Sequence, residues 1–483
     1  MDSDLASIQE ARDLATAAFE AQKMWAKATQ QQVDAVCAAM AEAGFHASER
    51  LGRLASEETG YGVPAHKKLK NEFGSRMVWD SIRDLKSVGV VREDTARRIF
   101  EIAWPVGVVA GLVPSTNPTS TVFAKALMAV KARDAIVFAP HPSAARCSLE
   151  AANVMAQAAE TAGAPRGLIS CLKQISLPGT QELMNHKNIA LILATGGSGM
   201  VKAAHSVGKP AYGVGPGNVP VYVDRSADLE KAARYIVASK AFDYSTICAT
   251  EQAVIADLPI ARKLEDLMKT QGAYFVSSEQ ANALSKVLFF PDGGINPASV
   301  GKSPFVLAGM AGFDIPAGSR ILVTRLSKVG REEPLSREKL TTVLGWYEAD
   351  GWEAGCERSI ELIQFGGRGH TQIIYATDDK IIMEFGLEKP VFRILVNTMG
   401  TLGAIGLTTG VMPSLTLGSG GVGGSITGDN ISASHLFNIK RLAYEITTPP
   451  PAAFQPPEAP AQPSTVEMEK IVRLVVEEVL KAR

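Results

Sequence analysis

The sequence predicts an α/β fold built around mostly parallel sheets. From residue 106 onward, short apolar runs alternate with helical stretches, and successive runs start about 20–30 residues apart. This alternation is typical of repeated βαβ units. The predicted strands of this series are 106–113, 135–139, 168–172, 189–194 and 219–223, and the predicted helices between the early strands are 119–131 and 144–160.

The regions on either side of this series have different patterns. The first hundred residues predict helices, because Ala-rich amphipathic stretches cover about residues 3–45 and 67–85. After residue 248 the alternation resumes, which predicts a second α/β domain. Its predicted elements are strands at 252–256, 286–290 and 320–323 and a helix near 260–271. Residues 400–430 are rich in glycine, so their backbone is expected to turn sharply or to wrap closely around another group.

The last 35 residues predict a linker followed by a short amphipathic helix. The proline-rich stretch 449–463 is typical of a stiff, extended linker. Ser464 and Glu467 then fit the S-x-x-E capping box, and acidic residues match basic ones on the polar face, which disfavours a membrane surface. The apolar face needs a partner, unless the helix folds back onto the rest of the chain. This face comprises Met468, Ile471, Val472, Val475, Val476, Val479 and Leu480.

The composition excludes several classes of function. The chain has 483 residues, enough for two or three domains, and a formal net charge of −1, so it has no overall basic field to attract nucleic acid or an anionic membrane. It has no run of about 18 apolar residues, and its first residues lack the pattern of a signal peptide. Five widely spaced cysteines predict a reducing, cytoplasmic setting. None of them stands at zinc-ligand spacing, so no metal site is predicted.

Cys248, in the segment FDYSTICATEQ, is a candidate nucleophile. It stands between small polar residues just before a predicted strand. A thiolate suits aldehyde oxidation, because it adds to the carbonyl carbon, the adduct can expel hydride, and the product is a thioester. Taken alone, a single cysteine is more often a small buried apolar residue than a nucleophile.

Two loops that follow predicted strands offer hydrogen-bond donors. In VGVVAGLVPSTNPTS, the side-chain amide of Asn117 could donate to an oxyanion, although an Asn-Pro turn at a helix start is the alternative. In IALILATGGSGMVK, the glycines after the strand would let backbone N–H groups approach a phosphate at a helix N-terminus. A plain strand–turn–helix junction would look the same.

Taken together and in this order, these segments resemble the aldehyde dehydrogenase superfamily. Within it they are similar to the CoA-acylating branch, typified by acetaldehyde and propionaldehyde dehydrogenases. The resemblance covers roughly residues 3–446. It rests on VGVVAGLVPSTNPTS, APHPS at 139–143, ATGGSGMV, GVGPGNVPVYV at 213–223, the Cys248 segment, GGRGHT at 366–371, RILVNT at 393–398, PSLTLGSGGVGGS at 413–425 and HLFNIKRLA at 435–443.

The resemblance implies a role for each candidate residue. Cys248 is expected to carry the acyl group, and Asn117 resembles the oxyanion-hole amide that works with the Cys248 backbone N–H. NAD is expected as cofactor and coenzyme A as the acyl acceptor. The residues expected to bind the cofactor are Pro114, Ser115, Thr116, Pro140, His141, Thr195, Gly196, Gly197, Ser198, Val201, Gly213, Gly215 and Glu338.

Some of these cofactor residues match a particular part of the family's pocket. Thr195, Gly196 and Ser198 resemble the loop at the pyrophosphate, and Pro140 and His141 resemble the edge of the adenosine pocket. Glu338, in REKLTTVLGWY, resembles the glutamate that holds the nicotinamide ribose, with a carboxylate on a surface helix as the alternative. Among the histidines, His370 is the best candidate for positioning substrate or CoA, although a structural role is the alternative.

One departure from the family pattern indicates the acyl acceptor. Hydrolytic relatives carry a general-base glutamate where this chain has Gly213. Without that carboxylate, water is poorly activated to attack a thioester, whereas the CoA thiol needs less help. The sequence therefore favours acyl transfer to CoA. Two other hypotheses stay open: a hydrolytic aldehyde dehydrogenase that makes free acid, and an idle scaffold or assembly protein that kept the fold.

The resemblance also implies a domain plan and partners. It implies the aldehyde dehydrogenase fold, with a Rossmann-like cofactor domain at 1–223 that includes an oligomerisation strand near 97–104, a catalytic α/β domain at 224–425 and a small β extension at 426–448. The linker at 449–463 and the helix at 464–483 complete the plan. By analogy with the family, a homodimer or tetramer is expected. The tail resembles encapsulation peptides, as in the propionaldehyde dehydrogenases of propanediol-using bacterial microcompartments, so a shell protein or a neighbouring enzyme is the expected partner.

Overall fold

The computed structural model describes residues 3–454 and 464–482, apart from the side chain of Ser198. Most of the predicted linker, residues 455–463, lies outside the described residues. The chain divides into two compact units, Met1–Val91 with Ile102–Lys440, and Arg92–Glu101 with Arg441–Arg483. Within the described part of the chain, no helix is long and apolar enough to cross a bilayer. No group of His, Cys, Asp or Glu side chains in that part is placed to hold a metal ion.

The first unit begins with helices up to Ile82, as the sequence predicts, but the prediction of helices for the whole first hundred residues is wrong, because Gly89–Asp94 form a strand. A capping box between Thr29 and Gln32 starts the second helix, and Gly60, with a φ of 67°, ends the third. The helices are α1 (Ser3–Trp25), α2 (Gln30–His46), α3 (Ser48–Thr59), α4 (Pro64–Glu72) and α5 (Val78–Ile82), with a π-helical turn at Phe73–Met77 between the last two. Strands β1 (Gly89–Asp94) and β2 (Ile99–Pro105) follow.

A five-stranded parallel sheet comes next. Its strands are β3 (Val108–Val113), β4 (Ala135–Pro140), β5 (Ile169–Cys171), β6 (Ile189–Thr195) and β7 (Ala211–Val214), in the order β5-β4-β3-β6-β7. Its helices are α6 (Pro118–Lys131), α7 (Ala145–Thr161), α8 (Leu177–Asn185) and α9 (Ser198–His205). The strand order reverses between β3 and β6, and ligands of open α/β sheets bind outside the carboxyl ends of the strands at such a point.

Helix α6 fixes the two central strands of this sheet. Every residue of α6 is buried, including Lys125. The Lys125 ammonium donates to the carbonyl oxygens of Leu112 and Leu193, at 2.7 and 2.8 Å, so it joins the carboxyl ends of β3 and β6. The loops that leave these two strands are therefore held beside each other.

A seven-stranded parallel sheet forms the second half of this unit. Its strands are β8 (Val219–Val223), β9 (Glu251–Asp257), β10 (Ala273–Phe275), β11 (Ile321–Arg325), β12 (Val343–Ala349), β13 (Gly369–Tyr375) and β14 (Val391–Val396), in the order β10-β11-β12-β9-β8-β13-β14. The accompanying helices are α10 (Leu229–Ala241), α11 (Leu258–Thr270), α12 (Ser278–Leu288), α13 (Pro304–Met310), α14 (Gly351–Phe365), α15 (Asp379–Glu388) and α16 (Gly400–Ala404). The chain passes between the two sheets at residues 215–218, whereas the predicted domain boundary at 223–224 stays a prediction.

Strand β15 (Phe437–Ala443) completes a three-stranded sheet of order β1-β2-β15, which includes the predicted oligomerisation strand. The second unit contains parts of these strands, where Arg441 pairs with Glu101 at 3.2 Å. It also contains a short 3₁₀ turn, Pro451–Phe454, at the start of the predicted extended linker, and helix α17 (Thr465–Lys481). The predicted capping box of α17 is present, and its seven predicted apolar side chains are each between 49% and 67% exposed.

One predicted strand is wrong. Residues 286–290 were predicted to form a β-strand, but most of them belong to the last turn of α12. A capping box between Ser277 and Gln280 starts this helix, and Leu284 and Leu288 bury one face at i, i+4 spacing. The apolar run KVLFF therefore has helical periodicity, and only Phe289 forms an isolated bridge, to Ile295.

Candidate active site

A cavity of about 550 Å³ lies beside the carboxyl ends of β3 and β6 and the loop that precedes β9. Most of the predicted site residues line its wall, although they come from six separate stretches of sequence. These residues are Pro114, Ser115, Thr116, Asn117, Pro140, His141, Thr195, Gly196, Gly197, Gly215, Cys248 and Glu338. The two folded sheets therefore bring the candidate nucleophile, the candidate amide donor and the glycine loop to one place.

Two of the described predicted cofactor residues, Val201 and Gly213, are not on that wall. Val201 and Gly213 contact each other instead: a Cβ atom at position 213 would lie 2.6 Å from Cγ1 of Val201 and 2.4 Å from Nε2 of His205. Position 213 therefore faces α9, and a glutamate there would enter α9 rather than approach Cys248. The side chain of Ser198 lies outside the described residues.

Cys248 is partly exposed on the cavity wall. Burial of its sulfur, with the negative charge of Glu338, raises the thiol pKa to about 12, against the smaller opposing effects of Arg393 and two backbone N–H groups. The thiol is therefore protonated at neutral pH, and the nucleophile forms only as the proton leaves. The other cysteines, which are all buried, are Cys37, Cys147, Cys171 and Cys356.

Asn117 presents its side-chain amide beside the nucleophile loop. It is the N-cap of α6, and Lys70 Nζ donates to its Oδ1 at 2.6 Å. Its Nδ2 donates to the carbonyl oxygen of Thr246 at 3.0 Å and to Thr116 Oγ1 at 3.1 Å. Thr246 precedes Cys248 by two residues, so the amide lies against the nucleophile loop, and its role toward an oxyanion stays a prediction.

The turn before Cys248 has an unusual backbone. Asp243, Tyr244 and Ser245 have φ angles of 48°, 50° and 67°, a region that costs a non-glycine residue about 1–2 kcal/mol. The buried carboxylate of Asp243 anchors this turn, since it accepts from the Val63 N–H at 2.7 Å and the Thr246 hydroxyl at 2.5 Å. It also accepts from the ammonium groups of Lys67 and Lys70.

The charges of this buried cluster depend on one another. Burial opposes ionisation of Asp243, but the two ammonium groups and its hydrogen bonds hold the pKa of this carboxyl below its ordinary value. Burial lowers the pKa of Lys70 to about 7, against the attraction of Asp243. The left-handed turn and the two ammonium groups are therefore held by the same carboxylate.

The glycine loop after β6 can hold the phosphates of a dinucleotide. Gly197 is the N-cap of α9 and provides no side-chain cap, so the first N–H groups of the helix are open to an anion. A Cβ atom at Gly197 or at Gly215 would meet nothing within 4 Å, so the backbone borders open space at both positions. Thr195 Oγ1 lies 3.3 Å from Thr416 Oγ1 in the glycine-rich segment. This local structure fits the predicted pyrophosphate loop.

Glu338 lies in a loop, so the alternative of a surface-helix carboxylate is wrong. Its side chain is 9% exposed and accepts the N–H of Gly217 at 3.0 Å. Burial raises the pKa of this carboxyl to about 7, although the Gly217 N–H, Lys240 and Lys339 oppose the shift. The carboxylate borders the cavity, and its role toward a ribose stays a prediction.

The two candidate histidines have different surroundings. His141 is exposed at the rim of the cavity, and its Nδ1 accepts the N–H of Ser143 at 3.2 Å. His370 is buried off the cavity wall, with Nδ1 3.0 Å from Thr371 Oγ1. Burial and the charge of Arg393 lower the pKa of His370 to about 3, so its ring is neutral at physiological pH.

Several wall and supporting residues were not predicted. Several apolar side chains line the cavity wall, and none of them was assigned to the site from the sequence. They are Tyr61, Ile247, Leu340, Ile405, Leu415 and Leu417. The spacing of Lys67 and Lys70 could have indicated this cluster. Lysines at i and i+3 lie on one helix face, and when both are buried they need a common anion.

The site can be compared with known proteins. The model of the aldehyde dehydrogenase family matches residues 2–276. The bifunctional aldehyde-alcohol dehydrogenase of Escherichia coli (strain K12) is 39% identical over 429 residues, which cover 88% of this chain and 48% of that protein. The chain thus spans about half the length of the bifunctional curated relatives that it matches.

Two solved structures are similar along nearly the whole chain. An acetylating aldehyde dehydrogenase from Geobacillus thermoglucosidasius is 51% identical, with a TM-score of 0.92, over 93% of this chain and 99% of that one. A propionaldehyde dehydrogenase from the Clostridium phytofermentans fucose utilisation bacterial microcompartment is 29% identical, with a TM-score of 0.81, over 89% and 96% of the two chains.

Proposed function

The chain belongs to the aldehyde dehydrogenase family, and we propose that it is an NAD-dependent, CoA-acylating aldehyde dehydrogenase. The α/β fold and the family resemblance inferred from the sequence are confirmed. The observation that carries the proposed activity is the position of Cys248 and Asn117 on one cavity wall, beside the glycine loop. The proposed substrates are short-chain aldehydes, with propionaldehyde favoured and acetaldehyde also accepted.

Each of these wall residues has a separate role in the proposed reaction. The Cys248 thiol loses its proton to solvent as its sulfur attacks the aldehyde carbon, and the Asn117 amide with the Cys248 backbone N–H stabilises the oxyanion. NAD, when bound, supplies the acceptor for the hydride that leaves the tetrahedral adduct. The Thr195–Gly197 loop and the N-terminus of α9 hold the pyrophosphate. Cys248 then carries the acyl group as a thioester and releases it to the thiol of CoA.

The proposal that CoA rather than water accepts the acyl group rests on the lack of a free carboxylate base among the described residues of the cavity wall. Position 213 has no side chain and faces α9. Among the described residues of the cavity wall, Glu338 is the one carboxylate, and it accepts the Gly217 N–H. A thioester attacked by water needs a free base, whereas the CoA thiol ionises near neutral pH and is intrinsically nucleophilic.

The test is NADH formation from propionaldehyde and NAD, with and without CoA. With CoA, we expect steady turnover and propionyl-CoA as product. Without CoA, we expect a burst of about one NADH per Cys248 and then a rate at least about 100-fold lower, because the acyl-enzyme accumulates. Equal steady rates would replace the proposal with the hydrolytic one. In that case, loss of the CoA-independent rate in Glu338→Gln would identify this carboxylate as the base.

We also propose that α17 is an encapsulation peptide that takes the enzyme into a bacterial microcompartment, of the propanediol-using type. The seven apolar side chains of its face are between 49% and 67% exposed, and a capping box defines the start of the helix. Such a face gains free energy by docking in an apolar groove. The relative from a fucose utilisation microcompartment supports this setting. For the enzyme itself we propose a homodimer or tetramer formed through the β1-β2-β15 sheet, to be measured by light scattering.

Co-sedimentation with shells of a propanediol-using microcompartment tests the role of α17. We expect the full chain in the shell fraction and at least about tenfold less of a chain that ends at Glu445. The double variant Val472→Glu/Val475→Glu should behave like the truncated chain, and Glu469→Lys/Glu477→Lys, which alters the polar face, should behave like the full chain. Co-sedimentation of the truncated chain would contradict the proposal.

A further inference from the structure

Beneath the candidate oxyanion site lies a small buried cluster of charges. Lys67 and Lys70, both on α4, are each 2% exposed, and both contact the fully buried carboxylate of Asp243. Two cations and one anion cost free energy to bury unless their geometry is fixed by further hydrogen bonds. The two lysines donate these further hydrogen bonds to different acceptors, so their roles differ.

Apart from Asp243, Lys67 contacts a backbone group. Its ammonium donates to the carbonyl oxygen of Thr116 at 3.0 Å and to Asp243 Oδ2 at 3.2 Å. Lys70 donates to a side chain of the site: its Nζ contacts Asn117 Oδ1 at 2.6 Å, besides Asp243 and the Thr246 hydroxyl at 3.2 Å. Lys70 is therefore the lysine that contacts the amide beside Cys248.

An ammonium group decides which way an asparagine amide faces. A lysine offers three donors and no acceptor, whereas an amide offers an oxygen on one side and an NH2 group on the other. With Lys70 on one side, Asn117 must present Oδ1 to it, and Nδ2 then faces the Thr246 carbonyl and the Thr116 hydroxyl. Of the two Nδ2 contacts, the one to the Thr116 hydroxyl is the one that yields to an oxyanion, since a hydroxyl rotates freely.

We propose that Lys70 is a positioning residue for the reaction: held by Asp243, it fixes the Asn117 amide so that its N–H groups face the carbonyl oxygen attacked by Cys248. The inference rests on the proposed function. The same carboxylate anchors the left-handed turn Asp243–Ser245, so one ammonium links the amide donor to the loop that carries the nucleophile. A displacement of either group by 1 Å is enough to lower a reaction rate about 100-fold.

The test compares Lys70→Met with Lys67→Met in the full chain. Both variants remove one buried cation of the same pair, so both are expected to lower the Tm to a similar extent. Only Lys70→Met frees the amide, and we expect it to lower kcat for propionaldehyde oxidation about 30- to 100-fold, with the KM for NAD changed less than about threefold. Lys67→Met is expected to lose less than about fivefold in kcat. Equal kcat losses in the two variants would overturn the proposal.

A double-mutant cycle with Asn117→Ala separates positioning from general damage. If Lys70 acts through Asn117, the double variant Lys70→Met/Asn117→Ala has the same kcat as Asn117→Ala, within about threefold. Multiplied losses would mean that Lys70 acts elsewhere and would overturn the proposal. The rate of Cys248 alkylation by iodoacetamide, a displacement without an oxyanion, is expected to change less than about threefold in Lys70→Met.

Two measures keep the result interpretable. Should Lys70→Met not fold, Lys70→Gln takes its place in the cycle: its amide is one bond shorter and can present an oxygen, so it no longer fixes Asn117. A wild-type kcat in Lys70→Gln would overturn the proposal. The wild-type chain is assayed first with NAD, aldehyde and CoA, and an inactive wild type counts against the proposed function, whereas an active wild type makes the kcat ratios a test of Lys70.

Discussion

Replacing Cys248 with alanine is expected to lower aldehyde-dependent NADH formation at least about 10⁴-fold, because no other group on the described cavity wall can form a thioester. The thiol lies partly exposed beside the Asn117 amide. Without sulfur there is no tetrahedral adduct from which hydride can leave. The measurement is NADH absorbance with propionaldehyde, NAD and CoA, together with mass spectrometry for an acylated chain in the absence of CoA.

Two controls show whether activity is lost because the reacting sulfur is absent or because the fold is damaged. Cys248→Ala is expected to bind NAD as the wild type does, because its other wall residues are intact. Cys171→Ala removes a buried thiol at the end of β5 and is expected to retain at least about a third of the activity, since it creates only a small cavity. If Cys248→Ala kept more than about 1% of the wild-type rate, the thioester mechanism would be wrong.

The second large effect concerns the amide donor. Asn117→Ala is expected to lower kcat between about 10²- and 10³-fold, the usual cost of removing one preorganised oxyanion donor. The KM for NAD is expected to change little, because the pyrophosphate loop does not contact this side chain. Steady-state kinetics over aldehyde and NAD concentrations measure both constants.

Asn117→Asp is the matched variant for this prediction. It has nearly the same shape and keeps an oxygen for the Lys70 ammonium, so the fold around it should persist. It replaces the N–H donors with a second oxygen, which repels a developing oxyanion. Its kcat should therefore be no higher than that of Asn117→Ala. An Asn117→Asp enzyme with more than about a tenth of the wild-type kcat would contradict the oxyanion role.

The strands and helices around the site were predictable because their hydrophobic patterns are local. Residues 219–223 were predicted as a strand, and β8 has these same bounds. The prediction at 286–290 was wrong because VLFF fits the end of a helix as well as a strand, and the burial of Leu284 and Leu288 decided between them. The change of sheet between Val214 and Val219 depends on long-range pairing, which no local pattern encodes.

The site was predictable where a residue's chemistry is visible in its own segment. Cys248, Asn117 and the Thr195–Gly197 loop belong to motifs, and the fold brings them to one wall. Gly213 was expected at the cofactor, but its packing against Val201 and His205 depends on how α9 returns to β7. Asp243 and Lys70 are 173 positions apart, so their ion pair was not visible before the fold was known.

The raised pKa of the Cys248 thiol has a consequence for the chemical durability of the enzyme. With its pKa raised to about 12, the thiol is protonated at pH 7. Peroxide and other oxidants react with the ionised form of a thiol, so we expect the protonated thiol of Cys248 to react slowly with them. The four remaining cysteines are shielded by burial. On the proposed function, the Cys248 thiol therefore stays protonated between turnovers. It is open to oxidation mainly when it loses its proton during catalysis.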